Sequence, residues 1–204
     1  MSWRPIMDAG PGINFFSTNQ QRLLFSVLGP LCVPEIVERE ILRKARSDER
    51  FAAAQRVWSK LPSRLMEVVS DDTTVELAAA VQRLSGMAID QRLGISRDLG
   101  ETMVIAHAAV AAGAGEHVII LIDDGAGCRL AAQEARRLGR LQAAGKPVGS
   151  ISLVDTVTVL ERAAGGDHLP DKQSMRELCG RLRSLDDGLP PIETTRLLSR
   201  QCWR

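Results

Sequence analysis

The chain has 204 residues, of which 45% are apolar and 25% are charged, and its net formal charge is +1 at pH 7. This length favours one sizeable α/β domain, and the composition excludes a disordered chain and a surface that attracts polyanions by overall charge. Scattered cysteines, no apolar leader and no apolar run of membrane length predict a reduced, cytoplasmic protein that makes no membrane contact.

The first half of the chain alternates short apolar runs with helical patterns. Residues 3–8 predict a strand that leaves through a tight DAGPG turn. Pro34 suits the first turn of the following helix, PEIVEREILRKA, while Ser47 and Asp72 suit the N-caps of two later helices. The predicted strands and helices are, in order, strand 3–8, helix 13–28, strand 30–33, helix 34–45, helix 48–61, strand 65–69 and helix 73–86.

In the second half, Ser96 is the expected N-cap of an alanine-rich helix that ends at Gly113. HVIILI at residues 117–122 is the clearest buried strand, and DDGAGCRLAAQEARRLG leads from it into a helix. A weaker strand is predicted at 147–150, followed by helices at 153–164 and 172–185. Strands separated by helices predict an α/β fold with a mostly parallel central sheet, covered on both faces.

Acidic side chains follow two of the predicted strands. Asp8 closes the first strand, and Asp123 and Asp124 close HVIILI. Glu40 lies on the apolar face of its helix, and Glu101 stands near the start of the alanine-rich helix. Because ligands of parallel sheets bind beyond the carboxyl ends of the strands, we expect these acids to converge on one cleft.

Such a cluster of carboxylates needs positive charge to offset mutual repulsion. Hard oxygen ligands without a nearby set of His or Cys select Mg²⁺ or Mn²⁺ rather than zinc. An ion held in this way activates a bound water and neutralises charge on a phosphoryl oxygen. The pattern therefore predicts hydrolysis of phosphodiester bonds.

Four segments resemble the motifs of PIN-domain nucleases, in the correct order along residues 3–185. IMDAGPGINFF is similar to the opening strand and its Asp8, and VPEIVEREI to the second motif, with Glu40 six residues after the proline. DLGETMVIAHA resembles the third motif and supplies Glu101, while LIDDGAGCRLAA resembles the fourth, with Asp124 the better match and Asp123 beside it.

The resemblance implies a three-layer α/β/α fold, and many bacterial members resemble VapC-type toxins. Those proteins cut RNA with Mg²⁺ or Mn²⁺ and are restrained by a cognate antitoxin. By this resemblance, the catalytic residues are Asp8, Glu40, Glu101 and Asp124, and the metal ligands are these four and Asp123.

We expect residues 1–204 to form one such domain, with a helical insertion at about 47–95 and a C-terminal helical extension at about 171–204. The insertion is longer than in compact toxins, and DAGPG lacks the Ser or Thr that often follows the first Asp.

Each acid also has a structural alternative. Asp8 could make an Asx turn, Asp124 could cap the next helix, and Glu101 could complement a helix dipole, as Asp98 also could. The rivals of Glu40 are Glu35 and Glu38, and Asp123 points away from Asp124 if the segment is extended. Arg129, one turn beyond Asp124, is the candidate to bind the scissile phosphate.

Two other functions stay open. One is a non-catalytic PIN-like scaffold that binds RNA or protein. The other is a phosphoacceptor signalling domain, for which Lys146 and Pro147 provide a Lys-Pro pair. Apolar residues in the added helices could also form a homodimer contact.

Overall fold

The computed structural model describes residues 3–185, 188–199 and 202–203. Within these ranges, five parallel strands form one sheet. The strands are β1 (Ile6–Met7), β2 (Leu31–Pro34), β3 (Met66–Val69), β4 (His117–Leu121) and β5 (Ser150–Val154). They lie in the order β3-β2-β1-β4-β5, with helices on both faces. The predicted α/β class with three layers is therefore confirmed.

Helices connect the strands and cover the sheet. The described helices are α1 (Ala9–Ser17), α2 (Gln21–Leu28), α3 (Glu35–Ser47), α4 (Ala52–Trp58), α5 (Val75–Ser85), α6 (Ile89–Leu93), α7 (Leu99–Gly113), α8 (Gly125–Ala143), α9 (Thr156–Ala163) and α10 (Lys172–Leu185). Single 3₁₀ turns occur at Glu49–Phe51, Ile192–Thr194 and Leu197–Ser199. No helix in the described ranges is long and apolar enough to cross a bilayer.

The strand order places a topological switch between β1 and β4. The chain moves from β1 outward to β2 and β3, and then returns to the other side of β1 for β4 and β5. Ile6 pairs with Cys32 of β2 and with Ile120 of β4. Such a switch opens a crevice at the carboxyl ends of the two strands, which is where ligands bind in this architecture.

Helix α7 is apolar on nearly all sides because it lies between two packed layers. Val104 and Ile105 belong to the main core under the sheet. Met103 and Ala106 belong to a second buried cluster, which includes Leu77 of α5. This double burial fixes the position of α7, and with it the first helical turn that carries the site.

The predicted helix at 13–28 is in fact two helices, α1 and α2. Helix α1 begins at Ala9, directly after β1, so the expected DAGPG turn is wrong and Pro11 lies in the first helical turn, where a missing N–H costs nothing. The break falls at residues 18–20, where Asn19 has a left-handed φ of 56°. A left-handed residue ends a helix, and Asn tolerates that conformation better than most residues.

Three predicted N-caps are also wrong. Ser47 ends α3, and Asp72 and Ser96 each lie at least two residues before the actual cap. The residues found at the N-cap positions are Asp48 for the 3₁₀ turn, Thr74 for α5 and Asp98 for α7.

The fifth strand lies later than predicted, at 150–154 instead of 147–150. Its five residues pair in register with β4, from His117 with Ser150 to Leu121 with Val154. This pairing delays the next helix to Thr156, so the predicted helical start at 153 is also wrong. Within the region from 47 to 95, β3 pairs with β2, so that region contributes an edge strand as well as helices.

Candidate functional site

The five predicted acids line one cavity at the topological switch. The cavity has a volume of about 360 Å³. Its acidic residues come from the ends of β1 and β4 and from α3 and α7, and they are Asp8, Glu40, Glu101, Asp123 and Asp124. Lys44 also lines the cavity, together with Gly10, Pro11, Gly125 and Gly188. We refer to this space as the acidic cavity.

Asp8 is the most deeply buried acid of the cavity, with 7% of its surface exposed. Its backbone N–H donates to the carbonyl of Leu121, which fixes it beside β4 at 2.9 Å. Its Oδ2 accepts from the backbone N–H of Gly10 at 3.4 Å and caps α1. Burial, with a smaller contribution from the charges of Glu40 and Asp123, raises the pKa of Asp8 to about 6, although backbone hydrogen bonds from Ala9 and Gly10 lower it. Asp8 therefore caps α1, but burial and the neighbouring acids still disfavour the negative charge of its carboxylate.

Glu40 approaches Asp8 across the backbone of Gly100. A Cβ at residue 100 would lie 2.9 Å from Oε2 of Glu40 and 3.6 Å from Oδ1 of Asp8, so the two acids flank the same point. The other oxygen of Glu40, Oε1, lies 3.8 Å from Nζ of Lys44, one turn later on α3. Glycine at position 100 permits this close approach, because any side chain would occupy the space between the acids.

The two rivals of Glu40 have other partners. Oε2 of Glu35 accepts from the backbone N–H of Asp71 at 3.3 Å. Oε1 of Glu38 accepts from Nε1 of Trp58 at 3.0 Å, which ties α3 to α4. Of the three glutamates, Glu40 is therefore the one that faces the acidic cavity.

Glu101 lies in the first turn of α7 and is partly buried. Burial, followed by the nearby charges of Asp124 and Asp8, raises its pKa to about 7. Its Oε2 is 2.9 Å from the point that a Cβ at residue 127 would occupy, so Gly127 lets the start of α8 pack against it. Glu101 therefore packs against Gly127 of the fourth predicted motif, and the charge of Asp8 in the first motif acts on its pKa.

The adjacent acids Asp123 and Asp124, which follow β4, accept hydrogen bonds at the N-termini of two different helices. Oδ2 of Asp123 accepts from the hydroxyl of Thr156 at 2.6 Å, and Oδ1 accepts from the backbone N–H of Thr156 at 2.7 Å. Oδ1 of Asp124 caps α8 by accepting from the N–H groups of Ala126 at 2.6 Å and Gly127 at 3.0 Å. These donors, at the positive ends of α9 and α8, offset part of the repulsion between the two carboxylates.

Arg129 does not line the acidic cavity. Its guanidinium is exposed and lies beside Gly125, with an NH group 3.4 Å from where a Cβ at residue 125 would be. Among the described residues, the cation that lines the cavity is Lys44, which the sequence reading missed. The spacing of four residues from Glu40 is the signal that could have identified it.

The donor set fits a hard divalent cation, although its present arrangement does not form a metal site. Carboxylate oxygens dominate the cavity, and its lining contains neither His nor Cys, which suits Mg²⁺ or Mn²⁺. Within the described ranges, no three His, Cys, Asp or Glu side chains are close enough to hold an ion as they stand. Coordination by three acids therefore requires side-chain rotation, which the long side chains of Glu40 and Glu101 allow.

Comparison with family models, curated proteins and solved structures gives no match to this chain. The resemblance to PIN-domain nucleases therefore stays a prediction from four motifs. Independently of that resemblance, the fold brings the acidic residues of all four motifs to the lining of one cavity.

Proposed function

We propose that the chain is a metal-dependent ribonuclease of PIN type, in which Asp8, Glu40, Glu101 and Asp124 hold Mg²⁺ or Mn²⁺ and Asp123 assists. The observation that carries this proposal is the convergence of five carboxylates, from distant parts of the sequence, on one cavity at the sheet switch. Five like charges in one cavity lower the stability of the fold. Such a cluster therefore favours a functional role for these acids over a purely structural one.

The raised pKa values of two acids also support this proposal. The carboxyls of Asp8 and Glu101 have pKa values of about 6 and about 7, so both lose their protons close to neutral pH. A bound Mg²⁺ or Mn²⁺ would supply an activated water and would neutralise charge on a phosphoryl oxygen. Asp8, which is buried and accepts from the N–H of Gly10, would be the most rigid of the proposed ligands.

Lys44 gives the cavity a positive group that an incoming phosphate can contact. Its ammonium lies 3.8 Å from Glu40, and the pair is partly exposed to solvent. If Glu40 turns toward the metal, the ammonium of Lys44 becomes available to bind a phosphate that enters the cavity. We therefore assign the substrate contact within the cavity to Lys44 before Arg129.

Cleavage of labelled single-stranded RNA by the purified chain, with Mg²⁺ or Mn²⁺, tests the proposal. We expect hydrolysis to leave a 5′-phosphate on the downstream product, and Asp8→Asn to abolish cleavage. The matched control is Asp72→Asn, which removes an exposed carboxylate outside the cavity and should leave the rate unchanged. Equal cleavage by Asp8→Asn and wild type would remove Asp8 from the mechanism.

A non-catalytic scaffold that binds RNA or protein is the second candidate. It is favoured by the lack, among the described residues, of three acids already placed to hold an ion. A scaffold of this kind would bind RNA without cutting it, and its melting temperature would not respond to Mg²⁺ or Mn²⁺. The phosphoacceptor alternative has less support, because Lys146 precedes the amino end of β5 and the acids lie at the opposite edge of the sheet.

The proposed activity implies an RNA substrate and a cytoplasmic location. The resemblance to VapC-type toxins adds a cognate antitoxin, and a homodimer contact through the added helices stays a further prediction. A small reading frame directly upstream of the gene would support the antitoxin.

A further inference from the structure

A second cavity adjoins the acidic cavity. It has a volume of about 220 Å³ and lies between α3 and the loop that precedes α7. Glu40 lines both cavities, and Gly100, which lines the second, lies against Glu40 and Asp8. A chain bound in one cavity can therefore continue into the other without leaving the surface.

Two arginines on α3 form the cationic wall of this second cavity. Arg39 and Arg43 are both exposed, and their spacing of four residues places them on the same face of the helix. Within the described residues, no ion pair involves either guanidinium. Arg39 makes a hydrogen bond of 3.4 Å to the carbonyl of Glu35, which leaves most of its donors available. Such a pair suits a phosphate, which accepts several hydrogen bonds from guanidinium groups.

Apolar side chains also line the cavity. Ile36 lies on α3 itself, on the same helical face as the two arginines, and Leu99, which is 4% exposed, lies at the start of α7 beside Ser96. An apolar surface next to a cationic one fits a nucleotide whose base is unstacked. A duplex conceals the faces of its bases, whereas a single strand exposes them for such contact.

The loop of the second cavity is held in place by a buried arginine. Arg92 is 6% exposed and donates to the carbonyls of Ile95 at 2.6 Å and Arg97 at 2.8 Å. It also donates to the hydroxyl of Thr102 at 3.0 Å. These bonds fix the loop before ligand arrives, which lowers the entropy lost on binding.

From this geometry we propose that the second cavity binds the nucleotide next to the scissile phosphate of a single-stranded RNA, with Arg39 and Arg43 on its phosphate and Ile36 against its base. This inference rests on the proposed ribonuclease function, because it takes the acidic cavity as the place of cleavage. It adds to that function a binding site for the neighbouring nucleotide, which Glu40 separates from the place of cleavage.

Fluorescence anisotropy of a short labelled single-stranded RNA tests the inference, with every protein carrying Asp8→Asn so that cleavage does not consume the probe. In Mg²⁺, we expect Arg39→Gln with Arg43→Gln to raise Kd by about a hundredfold, the effect of losing two charge-assisted contacts to one phosphate. The slope of log Kd against log salt should fall by about 0.7 in magnitude, as one phosphate contact is lost. The matched control is Arg136→Gln, an exposed arginine on α8 outside both cavities, and it should change neither quantity.

The inference is overturned if the double variant keeps its melting temperature and binds the RNA with unchanged Kd and salt slope. It is also overturned if a duplex of equal length loses as much affinity as the single strand. If the double variant does not fold, Arg43→Gln alone gives the same comparison, with a smaller rise in Kd expected.

Failure of this inference can be distinguished from failure of the proposed function. If chains with the native Asp8 do not cleave RNA but binding still depends on both arginines, the cleavage proposal fails and the binding site is supported. If wild type cleaves RNA and the double variant binds as tightly as its parent, cleavage stands and this inference fails.

Discussion

Replacement of Asp8 by asparagine should make the protein more stable at alkaline pH in the absence of metal. The pKa of Asp8 is about 6 instead of its usual 3.8, chiefly because the side chain is buried. Each unit of pKa corresponds to about 1.4 kcal/mol, so ionised Asp8 lowers the free energy of unfolding by about 3 kcal/mol at most. Asparagine removes this cost and is as good an N-cap as aspartate for α1.

The sign of the pH dependence follows from the raised pKa. Between pH 4 and 6 the folded protein holds the Asp8 proton more tightly than the unfolded chain does, so protonation stabilises the fold. This stabilisation is complete below the unfolded pKa and is lost as pH rises through about 6. The advantage of Asp8→Asn should therefore be largest at pH 8 and should disappear near pH 4.

Urea denaturation of both proteins in a chelator, at pH 8 and at pH 4.5, measures this difference. Asp72→Asn serves as the control, because its exposed side chain should give no comparable gain. The reasoning is refuted if Asp8→Asn is no more stable than wild type at pH 8, or if its advantage is the same at both pH values.

Three further predictions concern the ion, the glycine between the acids and a buried salt bridge. Millimolar Mg²⁺ or Mn²⁺ should raise the melting temperature more at pH 8 than at pH 5.5, because two of the acids hold protons at lower pH; no rise at either pH contradicts ion binding. Gly100→Ala should weaken Mn²⁺ activation of cleavage about tenfold, since its Cβ would displace Glu40; an unchanged midpoint contradicts this. Glu134→Gln should lower the free energy of unfolding, measured with urea, by about 1–2 kcal/mol, because buried Glu134 pairs with Arg83 at 2.9 Å and with Arg137 at 2.7 Å. Unchanged stability would show that these two ion pairs do not stabilise the fold.

The positions of the acids could be predicted because they follow from the ends of strands. Asp8 and Asp123 come directly after short apolar runs that predict buried strands, and parallel strands bring such residues to one edge. Glu40 could be selected because it shares a helical face with apolar residues. Local patterns of this kind require no knowledge of distant contacts.

The errors arose where tertiary contacts determine the outcome. The fifth strand is set by its register with β4 instead of by its own weak pattern. The start of α7 depends on buried Arg92, whose bonds to loop carbonyls hold Asp98 near a left-handed φ of 52°. Lys44, by contrast, was missed although its spacing of four residues places it beside Glu40 on the same face of α3.

Calorimetric titration of Mn²⁺ into the metal-free protein at pH 8 tests the central claim most directly. The account predicts saturable binding by wild type, with little proton release because Asp8 and Glu101 are already ionised at pH 8, and its loss in Asp8→Asn. Correctly folded wild type that binds no Mn²⁺, or an Asp8→Asn variant that binds as tightly as wild type, would contradict the claim that these carboxylates hold a common ion.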